Sequence, residues 1–158
     1  MARRGYSEPV PGPLDYIACF IDESDAASRA LEHSKALRAL SGGKLSVVHV
    51  VAPPSFLISL AGAVGGSAPF DDRPELEAAL AWLTNLADEI EGAEPVLLEG
   101  HPASVACDWA REVDCSVMVA ASHRGVVERV FLGSFAGYLA HHAPCPVLLV
   151  PPEAPGAP

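Results

Sequence analysis

Short apolar runs alternate with longer amphipathic segments between residues 14 and 150. Each run is almost continuously apolar, which is typical of a strand that is covered on both faces of a sheet. The runs are LDYIACFI (14–21), KLSVVHV (44–50), EPVLLEG (94–100), SVMVAAS (116–122) and PVLLV (146–150). This pattern predicts five β-strands.

Helical periodicity fills the intervals between these strands. Ser24 and Asp25 favour the start of the first predicted helix, and Gly42-Gly43 ends it. The second predicted helix begins near Pro74 and closes at Gly92. The predicted inward faces contain Leu76, Leu80, Leu83, Leu86 and Ile90 in the second helix, Val105 and Trp109 in the third, and Phe135, Leu139 and His142 in the fourth.

Regular alternation of strands and helices predicts an α/β fold. Such alternation indicates parallel strands joined by right-handed crossovers, with helices on both faces of one open sheet. The segment 51–74 interrupts the alternation with prolines, glycines and small apolar residues, and a short helix around FLISLAG (56–62) is one option there. We therefore predict a single Rossmann-like domain at 14–150, between a flexible arm (1–13) and a flexible proline-rich tail (151–158).

Charge and composition narrow the choice of partners. The chain of 158 residues has 20 acidic and 10 basic side chains and a net charge of −10. Such a surface repels phosphate backbones, so nucleic acid is not an expected partner. No run approaches the roughly 20 apolar residues of a membrane helix, and the start of the chain lacks the apolar stretch of a signal peptide. The four cysteines have no metal-type spacing and suit small buried hydrophobes in a reducing compartment. We therefore expect a soluble cytoplasmic protein that does not associate with membranes.

Two segments lie where open parallel sheets bind ligands, at the carboxyl ends of strands. Asp22 follows the first strand, and residues 120–134 connect the fourth strand to the fourth helix. Gly133 allows close approach to the backbone, and Ser134 begins a helix whose N-terminus favours an anion. The same segment adds the basic side chains of His123, Arg124 and Arg129. A phosphate site is one interpretation, and a turn that only packs the helix onto the sheet is the other.

Four stretches of the chain resemble the universal stress protein family. LGSFAGYLAHHAPCPVLLV is similar to that family's Gly-Ser turn, helix and final Ala-Pro-Cys-Pro strand, and YIACFIDESDAASRALEHS resembles its opening strand and helix. VVHVV and EGHPASVACDWA are similar to its second strand and to the segment before its third helix. The resemblance covers about residues 14–150. It implies a sheet of order 3-2-1-4-5, of the adenine nucleotide alpha hydrolase type. It also implies a homodimer through strand 146–150, whose aliphatic edge would otherwise be exposed.

The same resemblance implies an adenine nucleotide ligand, ATP or AMP, with Mg²⁺ accompanying ATP. In ATP-binding members an aspartate after strand one holds the adenosine and a valine that ends strand two contacts adenine, which correspond to Asp22 and Val50. The family's glycines and a Gly-Ser pair hold the phosphates, and Gly133-Ser134 matches that pair. The first two glycines are replaced here, because Ala120 and His123 occupy their positions when no gap is allowed.

These replacements leave two interpretations of the loop open. The side chain of His123 can block close approach of a phosphate to the backbone, or it can itself donate a hydrogen bond to the phosphate. Arg124 can also donate a hydrogen bond. Gly125 remains as a later glycine of the loop. Glu23 stands where the family has the Gly of Asp-Gly-Ser and adds negative charge. The alternative to nucleotide binding is a protein that acts through partners at the dimer face or the 51–74 segment.

An enzyme is a third interpretation. An adenylyl-transferring enzyme of a related fold needs a catalytic pair at the strand ends, and the spacing of residues reveals none. No clear general base or magnesium carboxylate accompanies Gly133-Ser134, so we expect no catalysis beyond slow ATP hydrolysis. His141 and His142 are expected to interact with a helix C-terminus, and His49 is expected in the core or an interface.

Overall fold

The computed structural model describes residues 12–52, 71–122 and 134–151. In these residues strands and helices alternate as the sequence predicts. The strands are β1 (Tyr16–Phe20), β2 (Lys44–Val51), β3 (Ala93–Glu99), β4 (Val117–Ala121) and β5 (Val147–Val150). The helices are α1 (Asp25–Ser41), α2 (Arg73–Asp88), α3 (Pro102–Glu112) and α4 (Ser134–His142). The expected helix at 56–62 lies outside the described residues, as does almost all of the expected arm and tail.

The five strands form one parallel sheet of order β3-β2-β1-β4-β5. This confirms the fold class and the strand order that the family resemblance implies. β1 is central, and its Ile17 lies between Leu45 of β2 and Val117 of β4. A central parallel strand is buried on both faces, which explains why the run YIACF contains no charged residue.

Two hydrophobic cores lie on opposite faces of the sheet. Because side chains alternate along a strand, Ile17 and Cys19 face one core, while Ala18 and Phe20 face the other. α1 and α2 cover the first face, and α3 and α4 cover the second. None of the described helices is long and apolar enough to cross a membrane.

The helix ends agree with the sequence pattern in most places. Gly42 adopts the left-handed conformation (φ 70°), and its N–H donates to the Arg38 carbonyl at 2.8 Å, which ends α1 as predicted. Pro74 lies in the first turn of α2, also as predicted. The expected end of α2 at Gly92 is wrong. The helix ends at Asp88, and Gly92 (φ 68°) lies in the turn that leads to β3.

Two of the predicted helix faces, those of α2 and α4, need correction, and that of α3 needs additions. In α2 the core contacts come from the C-terminal half, because Leu83 is buried while Leu80 is 46% exposed. In α3 the fully buried residues are small, Ala103, Ala106, Cys107 and Ala110, and they let the helix approach the sheet closely. Trp109 faces the sheet as predicted: it packs edge-on against Tyr16 and Phe20 of β1, with ring centroids 6.2 and 6.1 Å apart. In α4 His142 is exposed and contacts the Tyr138 ring at 4.2 Å, so its predicted inward position is wrong.

Candidate functional site

A cavity of about 350 Å³ lies at the carboxyl ends of β1, β2 and β4. We call it the strand-end cavity, and its lining includes Asp22, His49, Val50, Ala120 and Ser134. Its volume is at the lower end of the range of about 300–1,000 Å³ typical of small-molecule sites.

The topology explains why a cavity forms at this point. From β1 the chain crosses to β2 on one side of the sheet, whereas from β4 it crosses to β5 on the other side. The two connections diverge and leave a crevice between the tips of β1 and β4, which is where doubly wound sheets bind ligands.

Three of the residues that the sequence singles out meet at this cavity. Asp22 follows β1, Val50 lies near the end of β2 and Ser134 is the first residue of α4. The remaining predicted site residues, His123, Arg124, Gly125 and Gly133, lie outside the described part of the chain.

The carboxylate of Asp22 has a defined orientation. Its Oδ1 accepts the backbone N–H of Ser24 at 3.0 Å and also accepts the Ser24 hydroxyl. Ser24 is the N-cap residue of α1, but its side chain makes no capping hydrogen bond because its hydroxyl is directed to Asp22. Ser24 therefore lies at the start of α1 as predicted, without capping the helix through its side chain.

His49 holds the backbone directly before Asp22. Its Nδ1 donates to the Ile21 carbonyl at 2.9 Å, and the Ile21 N–H donates to the Val48 carbonyl at 2.9 Å. The Ile21 residue is therefore bonded to β2 through both of its backbone polar groups. The imidazole also meets the Trp82 ring edge-on, with centroids 5.1 Å apart. The sequence predicts His49 in the core or an interface, but it carries no local signal for this hydrogen bond to Ile21.

The hydrogen bond from His49 can be tested by two substitutions. His49→Asn retains a donor near the position of Nδ1, whereas His49→Leu removes the donor and leaves the Ile21 carbonyl unpaired. One hydrogen bond contributes about 1 kcal/mol. We therefore expect amide hydrogen exchange at Asp22 and Glu23, measured by NMR, to be roughly fivefold faster in His49→Leu than in His49→Asn. Equal exchange in the two variants would show that the bond does not restrain this turn.

The strand-end cavity is apolar inside and polar at its mouth. Val50, Ala120 and Phe135 contribute apolar walls, and Phe135 also packs against Phe20 with ring centroids 5.9 Å apart. Asp22 and Ser134 are exposed. Ser134 places the N-terminus of α4 at the cavity, and the dipole of the helix favours an anionic group there. The arrangement suits a ligand with a flat apolar part, hydroxyl donors and a negatively charged part.

The described residues offer little for nucleophilic or metal chemistry. Across residues 12–52, 71–122 and 134–151, no group of three or more His, Cys, Asp or Glu side chains is placed to hold a metal ion. Cys19, Cys107 and Cys115 are buried, as the sequence predicts, whereas Cys145 is partly exposed. Burial raises the pKa of Cys19 and that of Cys115 to about 12, so both remain protonated thiols at neutral pH.

Comparison with known proteins adds an independent line of evidence. The sequence model of the universal stress protein family matches residues 15–151. The chain is 31% identical over 131 residues to a universal stress protein of Thermus aquaticus, described by its place in the 3′ region of QAH/OAS sulfhydrylase, and this covers 82% of the chain and 93% of that protein.

Solved structures give the same result. A protein from the universal stress protein family of Burkholderia pseudomallei has a TM-score of 0.66 at 25% identity, covering 90% of this chain and 100% of that one. The universal stress protein from Archaeoglobus fulgidus in complex with dAMP has a TM-score of 0.59 at 25% identity, covering 85% of this chain and 96% of that one.

Proposed function

Because the chain belongs to the universal stress protein family, we propose that its strand-end cavity binds an adenine nucleotide, ATP or AMP. The observation that carries this proposal is the meeting of Asp22, Val50 and Ser134 around one cavity at the topological switch point. The dAMP complex of the Archaeoglobus fulgidus protein supports the choice of ligand class.

Each part of the nucleotide has a matching part of the cavity. The flat base packs against apolar walls that include Val50 and Phe135. A ribose hydroxyl donates to Asp22, whose carboxylate Ser24 already orients. The phosphates lie at the N-terminus of α4 beside Ser134. Gly133 together with Gly125, His123 and Arg124 completes the phosphate side of this proposal.

Mg²⁺ would enter with ATP, carried mainly by the phosphates. Mg²⁺ keeps several waters and needs only one or two protein carboxylates when it binds with phosphates. Among the described lining residues of the cavity, Asp22 is the one carboxylate. Since no clear general base accompanies Gly133-Ser134 in the sequence, we expect a binding module in which ATP hydrolysis is at most slow.

Calorimetric titration tests the nucleotide proposal. We expect saturable heat with one site per chain when ATP plus Mg²⁺ or AMP is added. Absence of heat and of any thermal shift at millimolar ligand would reject nucleotide binding.

The second candidate function keeps the family and drops the nucleotide. It is favoured by Ala120, whose methyl lines the cavity where the family pattern has a glycine, and by the exposed carboxylate of Glu23 beside Asp22. The protein would then act through protein partners. The same titration separates the two candidates, because only the first predicts a saturable response to AMP.

We further propose that the protein works in the cytoplasm as a homodimer in a stress response. β5 is an edge strand of the sheet, and its Leu148 is 37% exposed. Pairing of residues 146–150 with a second copy would cover this aliphatic edge in a closed, symmetric assembly.

The dimer proposal predicts a large effect at Leu148. Leu148→Glu would place two like charges near the twofold axis, which costs several kcal/mol in an interface. We expect the native chain to sediment as a dimer at micromolar concentration and Leu148→Glu as a monomer. Leu40, on α1 and 84% exposed, provides a matched control, because Leu40→Glu should remain dimeric. A monomeric native chain, or a Leu148→Glu variant as dimeric as the native chain, would contradict the interface.

A further inference from the structure

Three of the four cysteines converge on one side of the sheet. Cys107 lies on α3, and Cys115 and Cys145 lie two residues before β4 and β5, yet all three pack in the core between the sheet and α3 and α4. Cys19 faces the opposite core. The function proposed above uses none of these thiols, so their convergence calls for a separate account.

The pairing of β4 with β5 brings together the segments that contain Cys115 and Cys145. Met118 stands opposite Val147, and the Met118 N–H donates to the Pro146 carbonyl at 3.0 Å. Two residues earlier the same register places Cys145 opposite Ser116. The side chains of Cys115 and Cys145 pack in the same core, between the sheet and α3 and α4. A disulfide between them requires a Cα separation of roughly 4.4–6.8 Å.

The two thiols also influence one another directly. Burial is the largest cause of the raised pKa of both thiols. At Cys115 the neighbouring Cys145 is the next cause that raises the pKa. At Cys145 a contact with Cys115 lowers the pKa and so opposes the effect of burial. The Cys115 thiol is held in place, with its Sγ 3.2 Å from the Val117 carbonyl oxygen. Cys115 is buried, whereas Cys145 is partly exposed.

We propose that Cys115 and Cys145 form a modification site for hydroperoxides, which oxidise the pair to an intramolecular disulfide linking the starts of β4 and β5. This proposal does not depend on nucleotide binding. Partial exposure makes Cys145 the thiol that meets the oxidant, and Cys115 is the thiol that resolves the intermediate. Both thiols remain mostly protonated at neutral pH, so the reaction is slow and requires sustained oxidant.

The chemistry balances in two steps. The Cys145 thiolate attacks one oxygen of the hydroperoxide, the O–O bond breaks, and Cys145 becomes a sulfenic acid while an alcohol, or water from hydrogen peroxide, leaves. The Cys115 sulfur then attacks the Cys145 sulfur, the S–S bond forms, and the S–O bond breaks as water carries away the Cys115 proton. The hydroperoxide is reduced by two electrons, and the two thiols supply them.

The test uses the full native chain under non-denaturing conditions. After treatment with hydrogen peroxide the chain is denatured, its remaining thiols are alkylated, and intact and digested masses are measured. We expect loss of two hydrogen atoms and of two alkylatable thiols, with Cys19 and Cys107 still alkylated and the Cys115 and Cys145 peptides joined. Cys19→Ser, on the opposite face, should form the same disulfide at the same rate.

Two variants make the assignment falsifiable. Cys115→Ala and Cys115→Ser should both lose the disulfide and accumulate a Cys145 sulfenic acid that dimedone traps. The use of two different substitutions guards against a folding defect in either variant. A Cys107–Cys145 linkage, an intermolecular disulfide only, or an unchanged disulfide yield in the Cys115 variants would overturn the proposal. Native chains that retain all four free thiols after prolonged exposure would overturn it as well.

Discussion

Asp22→Asn is expected to weaken adenosine binding roughly 10- to 100-fold. The carboxylate lies at the mouth of the strand-end cavity and is oriented by Ser24. A hydrogen bond to a charged group contributes about 1.5–3 kcal/mol, and each 1.4 kcal/mol is a tenfold change in affinity. Asn has nearly the same shape, so the loss reports the charge and acceptor capacity of the carboxylate. Calorimetry or competition against a fluorescent adenosine analogue measures the effect.

Adenosine is a better probe than AMP for this substitution. With AMP, removing the negative charge of Asp22 also relieves its repulsion of the phosphate, which would offset the loss of affinity. Glu23→Gln is the matched control, since Glu23 is the neighbouring exposed carboxylate and does not line the strand-end cavity. We expect it to leave adenosine affinity unchanged and to strengthen AMP binding slightly. If Asp22→Asn and Glu23→Gln changed adenosine affinity equally, the assigned role of Asp22 would be wrong.

Gly43→Ala is expected to lower the free energy of unfolding by about 3 kcal/mol, the upper part of the range for overpacking. A Cβ at this position would overlap the backbone carbonyl oxygen of Leu14 and lie 3.0 Å from that of Asp15. Asp15 also accepts the Lys44 N–H at 2.8 Å, where the start of β2 joins β1. The clash involves backbone rather than a movable side chain, so relief requires displacement of the central strand.

The adjacent glycine separates this clash from ordinary backbone strain. A Cβ on Gly42 would meet no atom within 4 Å, but its φ of 70° disfavours alanine. Gly42→Ala should therefore cost only about 1 kcal/mol. Urea unfolding followed by circular dichroism compares the two variants. A Gly43→Ala variant as stable as Gly42→Ala would show that the backbone around Leu14 yields easily.

The sequence pattern predicts the elements of this fold better than their arrangement. Continuous apolar runs such as YIACF identify buried strands, and the alternation with helices identifies a parallel sheet. Periodicity does not say which strands are neighbours, because every buried strand presents similar residues. The order β3-β2-β1-β4-β5 therefore depended on family resemblance, and the structure confirms it.

The sequence pattern does not predict which side chains of a helix are buried most completely, because burial depends on the shape of the opposing surface. α3 lies against the sheet through alanines and Cys107, and the larger Trp109 packs on the same core against Tyr16 and Phe20. A rule that places large apolar residues inward is correct for Trp109 but does not identify the small residues that are buried most completely. Periodicity is wrong for His142, since its position in the helical period suits burial but it lies exposed on Tyr138.

The site is predictable where it follows from topology. Asp22, Val50 and Ser134 meet because the carboxyl ends of neighbouring parallel strands share one edge of the sheet. The contact between His49 and Ile21 is not predictable in this way, because it joins residues 28 positions apart through a side-chain hydrogen bond. No local pattern specifies that partner.

The most direct test of the proposed site is an AMP titration of the isotope-labelled native chain followed by NMR. We predict that the backbone amides of Asp22, Val50 and Ser134 shift together and saturate with one affinity. The amides of Lys44 and Ser116, at the opposite end of the sheet, should remain unchanged. An unchanged spectrum at millimolar AMP, or shifts confined to residues away from the strand-end cavity, would contradict the account.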